Sequence, residues 1–489
     1  MKSSFMIAHT LLLGVSAAFS TQTVFHSSVQ KNDSVTANCE TTCQVPATEF
    51  NSDVYFGTND PTFVIWDLKQ QNIIPACRVT PLNSEDVAKI VEIVSSHWCR
   101  FAVKGGGHST HIDASVSDGG VTIDLSQMKH IEIGPDGSWA DLGPGLVLGD
   151  AYSYLEPYKS TNIGGRVADV GLPGYAIGGG ISNLSPQYGL ALVLPNATIV
   201  NVTEDSQPDL YFALRGGGNN FGIVTNFRAR LIQQGQLLSG SKVYNVNYTD
   251  AIVDQVYQLT TTLANDTSIR VHHRVTQAYT QPVLTPSVFD TLNEIPYESS
   301  NVRVDWMSNF AAESVRAQGL RQLFATVTFH PSQDLHKAII AIFEEEICAV
   351  KDAPGFTSSV IVSALHVDAI ETMKSRGGND LGVESDNPLD IALLTVGWSN
   401  ATDDAAINSH ADTWIERSKS AATDAGLLHP WLYINYAKAN QNPFSEYGDV
   451  DEARLEKIQA EIDPGGAFSR PVDSVEGLSR FDNSYCLHV

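Results

Sequence analysis

The stretch VKGGGHSTH, Val103–His111, sets three consecutive glycines immediately before a histidine. Glycine loses more backbone freedom on folding than any other residue, so a run of three belongs where side chains would block a close approach to the backbone. The flanking sequence tells how the run is presented. Upstream, SEDVAKIVEIVSSHW reads as a helix, with Ser84 at the N-cap, two acids in the first turn and Val87, Ile90, Val91 and Val94 on one face. RFAVK then reads as a strand running straight into the glycines, followed by the strands GVTIDL and SWADLGPG.

Two further glycine-rich turns follow, GLPGYAIGGGIS and RGGGNNFG. Neither GPGLVLG nor GGGNNFG has the G-x-G-x-x-G spacing of a dinucleotide fingerprint, and the chain has no G-x-x-x-x-G-K-[ST] phosphate loop. Backbone N–H groups displayed in other glycine turns still form nests for anions. Three such loops suit one extended, pyrophosphate-containing ligand.

With 489 residues, 43% of them hydrophobic and 17% charged, the chain buries a large core and has the length of two or three domains. Its formal net charge of -25 argues against general affinity for nucleic acid or an anionic membrane and leaves a small molecule as the expected partner. Glycine and short β-branched runs dominate residues 67–234. Residues 237–428 mix strands such as FATVTFH and IALLTVGWS with helical stretches such as LHKAIIAIFEEEI. The last zone, from residue 431, opens with WLYINYA, a strand by its aromatics, and carries the helix DVDEARLEKIQAEI.

Lys2 and the apolar run FMIAHTLLLGVSAAF read as a secretory signal over residues 1–20, too short to span a bilayer. N-x-S/T acceptors at Asn32, Asn196, Asn201, Asn247, Asn265 and Asn400 agree with secretion, while Asn183 has the pattern inside a glycine-rich stretch. Six cysteines, at 39, 43, 77, 99, 348 and 486, fit disulfides whose pairing the sequence leaves open. No metal is expected: Cys39 and Cys43 lack a second cluster at zinc spacing, and His111 reads as a surface histidine without a third ligand.

Taken in order, FAVKGGGHS, VTIDLSQMK, VGLPGYAIGGG, PDLYFALRGGGNNFGIVT and YINYA…YG…DPGGAF resemble the berberine-bridge-enzyme-like FAD-linked oxidases of the vanillyl-alcohol-oxidase superfamily. The resemblance is strong over residues 67–234 and 431–470. It implies an α+β fold: a p-cresol methylhydroxylase-type FAD-binding domain, a second α+β substrate domain at 237–428, and a C-terminal flavin-facing segment at 431–470. It further implies that His108 carries a covalent bond to the flavin 8α-methyl and that Gly105, Gly106, Gly107 and Ser109 cradle the pyrophosphate. Gly171, Gly174, Gly178, Gly179 and Gly180 would form the second flavin loop, with Asn220, Gly222 and Ile223 along the cofactor. Tyr433, Asn435 and Tyr436 would face the ring, Tyr433 as a candidate base.

The expected activity is that of a secreted FAD oxidase moving a hydride from an alcohol, amine or activated C–H carbon, with dioxygen as electron acceptor; carbohydrates and secondary metabolites are the two substrate classes. A secreted flavin-binding protein with a lost catalytic cycle is the alternative, and a metal-dependent hydrolase rests only on scattered histidines. Three departures from the family pattern stand out. Val167 occupies the place of a second-link cysteine, Pro173 lacks an N–H where relatives have one, and YGLALVLPNATIVNV joins its two halves at Leu192 without the strand relatives insert after Ala191. The last departure predicts a weakened flavin-domain sheet.

Overall fold

The computed structural model describes residues 39–45, 53–56, 63–182, 200, 202–203, 205–262, 267–270, 274–316, 318–375 and 381–463. The proposed signal, the acceptors Asn32, Asn183, Asn196, Asn201 and Asn265, the junction at Leu192 and Cys486 lie outside them. Asn247 and Asn400 are both exposed.

The strand Phe101–Lys104 forms the edge of a four-stranded sheet, in the order Asp53–Phe56, Cys77–Thr80, Val121–Asp124, Phe101–Lys104. The first pair is antiparallel and the other two are parallel. The helix Ser84–Ser96 packs Val87, Ile90 and Val94 against the sheet residues Val79, Val121 and Ile123. Its N-cap is Asn83 rather than Ser84: the Asn83 carboxamide oxygen accepts the Asp86 N–H at 2.8 Å, while the Ser84 hydroxyl donates to Thr225 Oγ1 at 2.9 Å. Disulfides Cys39–Cys99 and Cys43–Cys77 lie in the same apolar cluster, so neither thiol of the C-x-x-x-C is available to a metal.

A second, nine-stranded sheet has Thr357–Leu365, Leu389–Trp398 and Arg321–Phe329 adjacent and antiparallel. Side chains alternate across a strand, and here the two faces serve different purposes. Leu323, Ala325, Leu394 and Val396 pack with Ile339, Phe343 and Trp414 of the helices Gln333–Glu346 and Asp404–Asp424. Phe324, Leu393 and Thr395 face the other way, into a cavity.

The core on the cavity's far side is continuous from Leu142, Leu148 and Tyr175 to Trp431, Tyr433 and Tyr447. The YINYA stretch is not a strand, as its aromatic alternation predicts, but a 3-10 turn over Ile434–Tyr436. Its Asn435 carboxamide donates to the carbonyls of Tyr175 at 3.2 Å and Gly178 at 3.4 Å, so the turn is held by side-chain anchors instead of a ladder. Among the described residues no helix is long and apolar enough to cross a membrane, and no His/Cys/Asp/Glu group has the makings of a metal site.

Candidate active site

The triple-glycine loop is fixed at both ends. At its start, buried Asp124 receives Lys104 Nζ at 3.1 Å and Arg78 NH1 at 2.8 Å, so two cations share one carboxylate under the loop. Past its end, the short helix Leu68–Gln71 clamps the chain: Gln70 Nε2 donates to the Ser109 carbonyl at 2.7 Å, and Lys69 Nζ to those of Thr110 at 2.9 Å and Gln322 at 2.6 Å. Because Gln322 belongs to the large sheet, this clamp also ties the two sheets together.

Between these ends the glycines interlock with the second loop. A Cβ at Gly106 would lie 2.3 Å from Gly171 Cα and 2.4 Å from its nitrogen; one at Gly105 would lie 2.4 Å from Pro173 Cγ. Gly107 adopts φ +71°, which non-glycine residues rarely take. Pro173 sits in the first turn of the helix Leu172–Ile177, where its missing N–H leaves no helical bond unmade. The departure from the family pattern at Pro173 therefore has a packing role.

His108 emerges from this interlock between an indole and a carboxylate. Its ring stacks on Trp66 with centroids 3.8 Å apart and planes 11° from parallel. Its Nε2 faces Asp169 Oδ1 at 3.7 Å, beyond hydrogen-bond length, and neither this nitrogen nor either Asp169 oxygen has a hydrogen-bond partner. Burial holds the imidazole pKa down at about 4, with the charge of Arg316 adding to the shift, so the ring is neutral at ordinary pH. Burial likewise raises the Asp169 pKa.

These groups open on a cavity of about 260 Å³. Tyr433 and Tyr436 meet edge to face there, 4.6 Å between centroids. The Tyr433 hydroxyl is buried and accepts from the Ile181 N–H at 3.1 Å and Asn435 Nδ2 at 3.0 Å; burial, and then the neighbouring Tyr436, push its pKa well above the usual phenol range. Tyr436 is more open, and its hydroxyl receives Arg166 NH2 at 2.9 Å.

Of the residues singled out in the sequence, Gly105, Gly106, Gly107, His108, Ser109, Gly171, Gly174, Tyr433, Asn435 and Tyr436 line this one cavity. Gly178 packs against Asn435, Gly180 against Tyr175, and Gly179 takes φ +68° beside Leu381. Asn220, Gly222 and Ile223 stand away from the cavity lining: Asn220 bonds its own loop at Gly217 O, 2.8 Å, and Ile223 lies in the cluster around the disulfides. His111 is buried instead of lying on the surface, its Nε2 3.0 Å from the Ala437 carbonyl, which couples the first loop to the C-terminal turn. Sequence reasoning did not find Trp66, Asp169, Arg166 or Arg316. Arg166 and Asp169 flank glycine loops, and a charge inside GGRVADVG was the available signal.

Residues 75–203 match the family described as FAD binding domain. Over 446 residues the chain is 31% identical to an FAD-dependent monooxygenase, tpcD, of Cochliobolus heterostrophus, covering 84% of this chain and 86% of that one. The chain belongs to the berberine-bridge-enzyme-like FAD-linked oxidoreductases. A Fusarium proliferatum FAD-dependent monooxygenase, FUP4, is also 31% identical, over 83% of this chain and 86% of its own. Among solved structures, 6-hydroxy-D-nicotine oxidase of Arthrobacter nicotinovorans superposes with TM-score 0.71 at 20% identity, covering 86% of this chain and 97% of that one. Glucooligosaccharide oxidase of Acremonium strictum, a 6-S-cysteinyl, 8α-N1-histidyl FAD protein, gives 0.71 at 16% identity, covering 90% and 100%.

The FAD-linked oxidoreductase therefore uses FAD, and its residues fit that cofactor. The glycine cradle leaves no room for side chains, and the orphaned imidazole nitrogen and carboxylate beside it wait for partners.

Proposed function

We propose that this FAD-linked oxidoreductase is a secreted oxidase in which His108 would attach the FAD and the glycine loops would cradle it, the cofactor supplying a hydride acceptor for an alcohol, amine or activated C–H carbon with dioxygen as the electron acceptor. The observation that carries the reading is His108: a neutral, buried imidazole held in one plane by Trp66 at the mouth of the glycine cradle. A neutral ring presents a lone pair for attachment, whereas a protonated one has none. Val167 at the cavity wall supplies no thiol, so the attachment is single.

Within the cavity, Tyr436 takes the substrate proton, its hydroxyl oxygen held in place by Arg166 NH2 at 2.9 Å. Tyr433 assumes a positioning role, because its hydroxyl is committed to the Ile181 N–H and Asn435. Phe324, Phe310 and Met307 exclude water from the reacting carbon. The purified protein's absorption spectrum tests the reading: flavin bands that bleach anaerobically with a substrate and return in air support it. Bound flavin that no substrate reduces would leave a flavin-binding protein without a cycle.

A further inference from the structure

We propose that the cavity selects a substrate bearing a carboxylate or comparably acidic oxygen, seated on Arg316; the proposal rests on the oxidoreductase reading of the same cavity. Arg316 follows the helix Met307–Glu313 and turns its guanidinium onto two hydroxyls of the large sheet. NH1 donates to Thr395 Oγ1 at 2.6 Å and NH2 to Ser359 Oγ at 3.3 Å, on residues paired across adjacent strands. Among the described residues no carboxylate lies within ion-pair distance of it, and its remaining N–H groups have no acceptor.

The chain carries a net charge of -25, with acids outnumbering bases 55 to 30, yet Arg316 is not matched to one of them. Elsewhere Arg228 holds Asp141, Arg303 holds Glu313, Arg321 holds Asp404 and Arg454 holds Asp209. Neither Glu313 of the cavity lining nor nearby Asp169 serves Arg316. Glu313 is taken by Arg303 and Asn301, and Asp169 faces His108. A charge removed from water without a counter-charge is costly, and burial lowers the Arg316 pKa accordingly. The planar fork matches a carboxylate in a way a point charge does not.

The walls define the rest of the ligand. Phe324, Met307, Phe310, Ile361 and Leu393 give the cavity an apolar side, with Ser239, Ser241, Thr276 and Asn301 also in its lining. An apolar or aromatic acid suits that side of the cavity, whereas a neutral sugar would leave the guanidinium without a counter-charge. Of the two substrate classes raised by the sequence, the cavity thus selects acidic secondary metabolites over carbohydrates.

The test titrates the holoprotein with benzoate, benzamide and cellobiose, following the flavin absorption bands and the melting temperature. Benzoate is expected to bind and stabilise, with benzamide and cellobiose at least about 10-fold weaker. Arg316→Gln is expected to weaken benzoate by about 10- to 100-fold, and Arg316→Lys by less, since the charge remains and the fork is lost. Equal binding of benzoate and benzamide by the unaltered protein would overturn the proposal without any variant. Unchanged benzoate affinity in folded Arg316→Gln, including the case in which only the flavin bands move, would overturn it too. The melting shift reads the acid whether or not flavin is bound. Loss of the flavin reading and loss of the acid site are therefore separate outcomes.

Discussion

The imidazole of His108 lies face to face with the indole of Trp66, 3.8 Å between centroids, and the Leu68–Gln71 helix that follows Trp66 is tied to the loop that carries His108 through Gln70 and the Ser109 carbonyl. Stacking fixes the ring plane and burial fixes its charge. Both suit the covalent attachment proposed for this residue. Denaturing electrophoresis of the unaltered protein is expected to show flavin fluorescence on the polypeptide, and His108→Ala to show none. Covalent flavin in His108→Ala would move the linkage elsewhere.

The pH dependence follows from the same residue. A free imidazole titrates near 6.5, whereas His108 in the folded chain titrates near 4. The folded apoprotein thus binds fewer protons than the unfolded chain between those values, so the contribution of His108 to stability is full above 6.5 and is lost as pH falls toward 4. Covalent incorporation of added FAD should stay level through pH 6.5 and fall only on approach to about 4. A fall centred on 6.5 would mean an imidazole open to water.

The two tyrosines should separate by what they lose. Tyr436→Phe removes the proposed proton acceptor and is expected to slow flavin reduction by about 10²- to 10⁴-fold with the flavin spectrum intact. Tyr433→Phe leaves the buried Ile181 N–H without its acceptor and should cost about 1–3 kcal/mol of stability, with a smaller effect on the rate. Stopped-flow reduction and thermal melting distinguish them. The reverse pattern would restore Tyr433 as the base.

Gly106→Ala tests the interlock of the loops. Its new methyl would fall 2.3 Å from Gly171 Cα, backbone against backbone, so the loops must part. We expect a loss of about 1–3 kcal/mol, as for other overpacked sites, together with poor FAD retention. Gly235→Ala, with nothing within 4 Å of the added carbon, is the control. Equal melting temperatures and equal flavin content would show that the loops have slack.

The disulfides close segments of 60 and 34 residues against the helix Ser84–Ser96 and its sheet. Replacing Cys43 and Cys77 together by Ser should lower stability by about 2–5 kcal/mol. Reductant should lower the unaltered protein's melting temperature and leave the doubly substituted protein less affected. A melting temperature indifferent to reductant would place both bridges outside the cooperative unit.

Local pattern by itself determined much of this protein. The strand into KGGGHS, the helix Ser84–Ser96 and the strands of residues 321–329 and 389–398 were legible because periodicity and turn residues are short-range signals. The ordered set of glycine loops likewise pointed to FAD. Tertiary structure decided the rest. Which cysteines pair, that His111 turns inward to Ala437, and that YINYA is a turn anchored by Asn435 all depend on partners far away in the chain. So does the chemistry of the cavity: Trp66, Asp169, Arg166 and Arg316 carry no motif, and only the fold brings them to His108 and Tyr436. Their charge states arise from burial and from neighbours in space, and neither quantity is written in the local sequence.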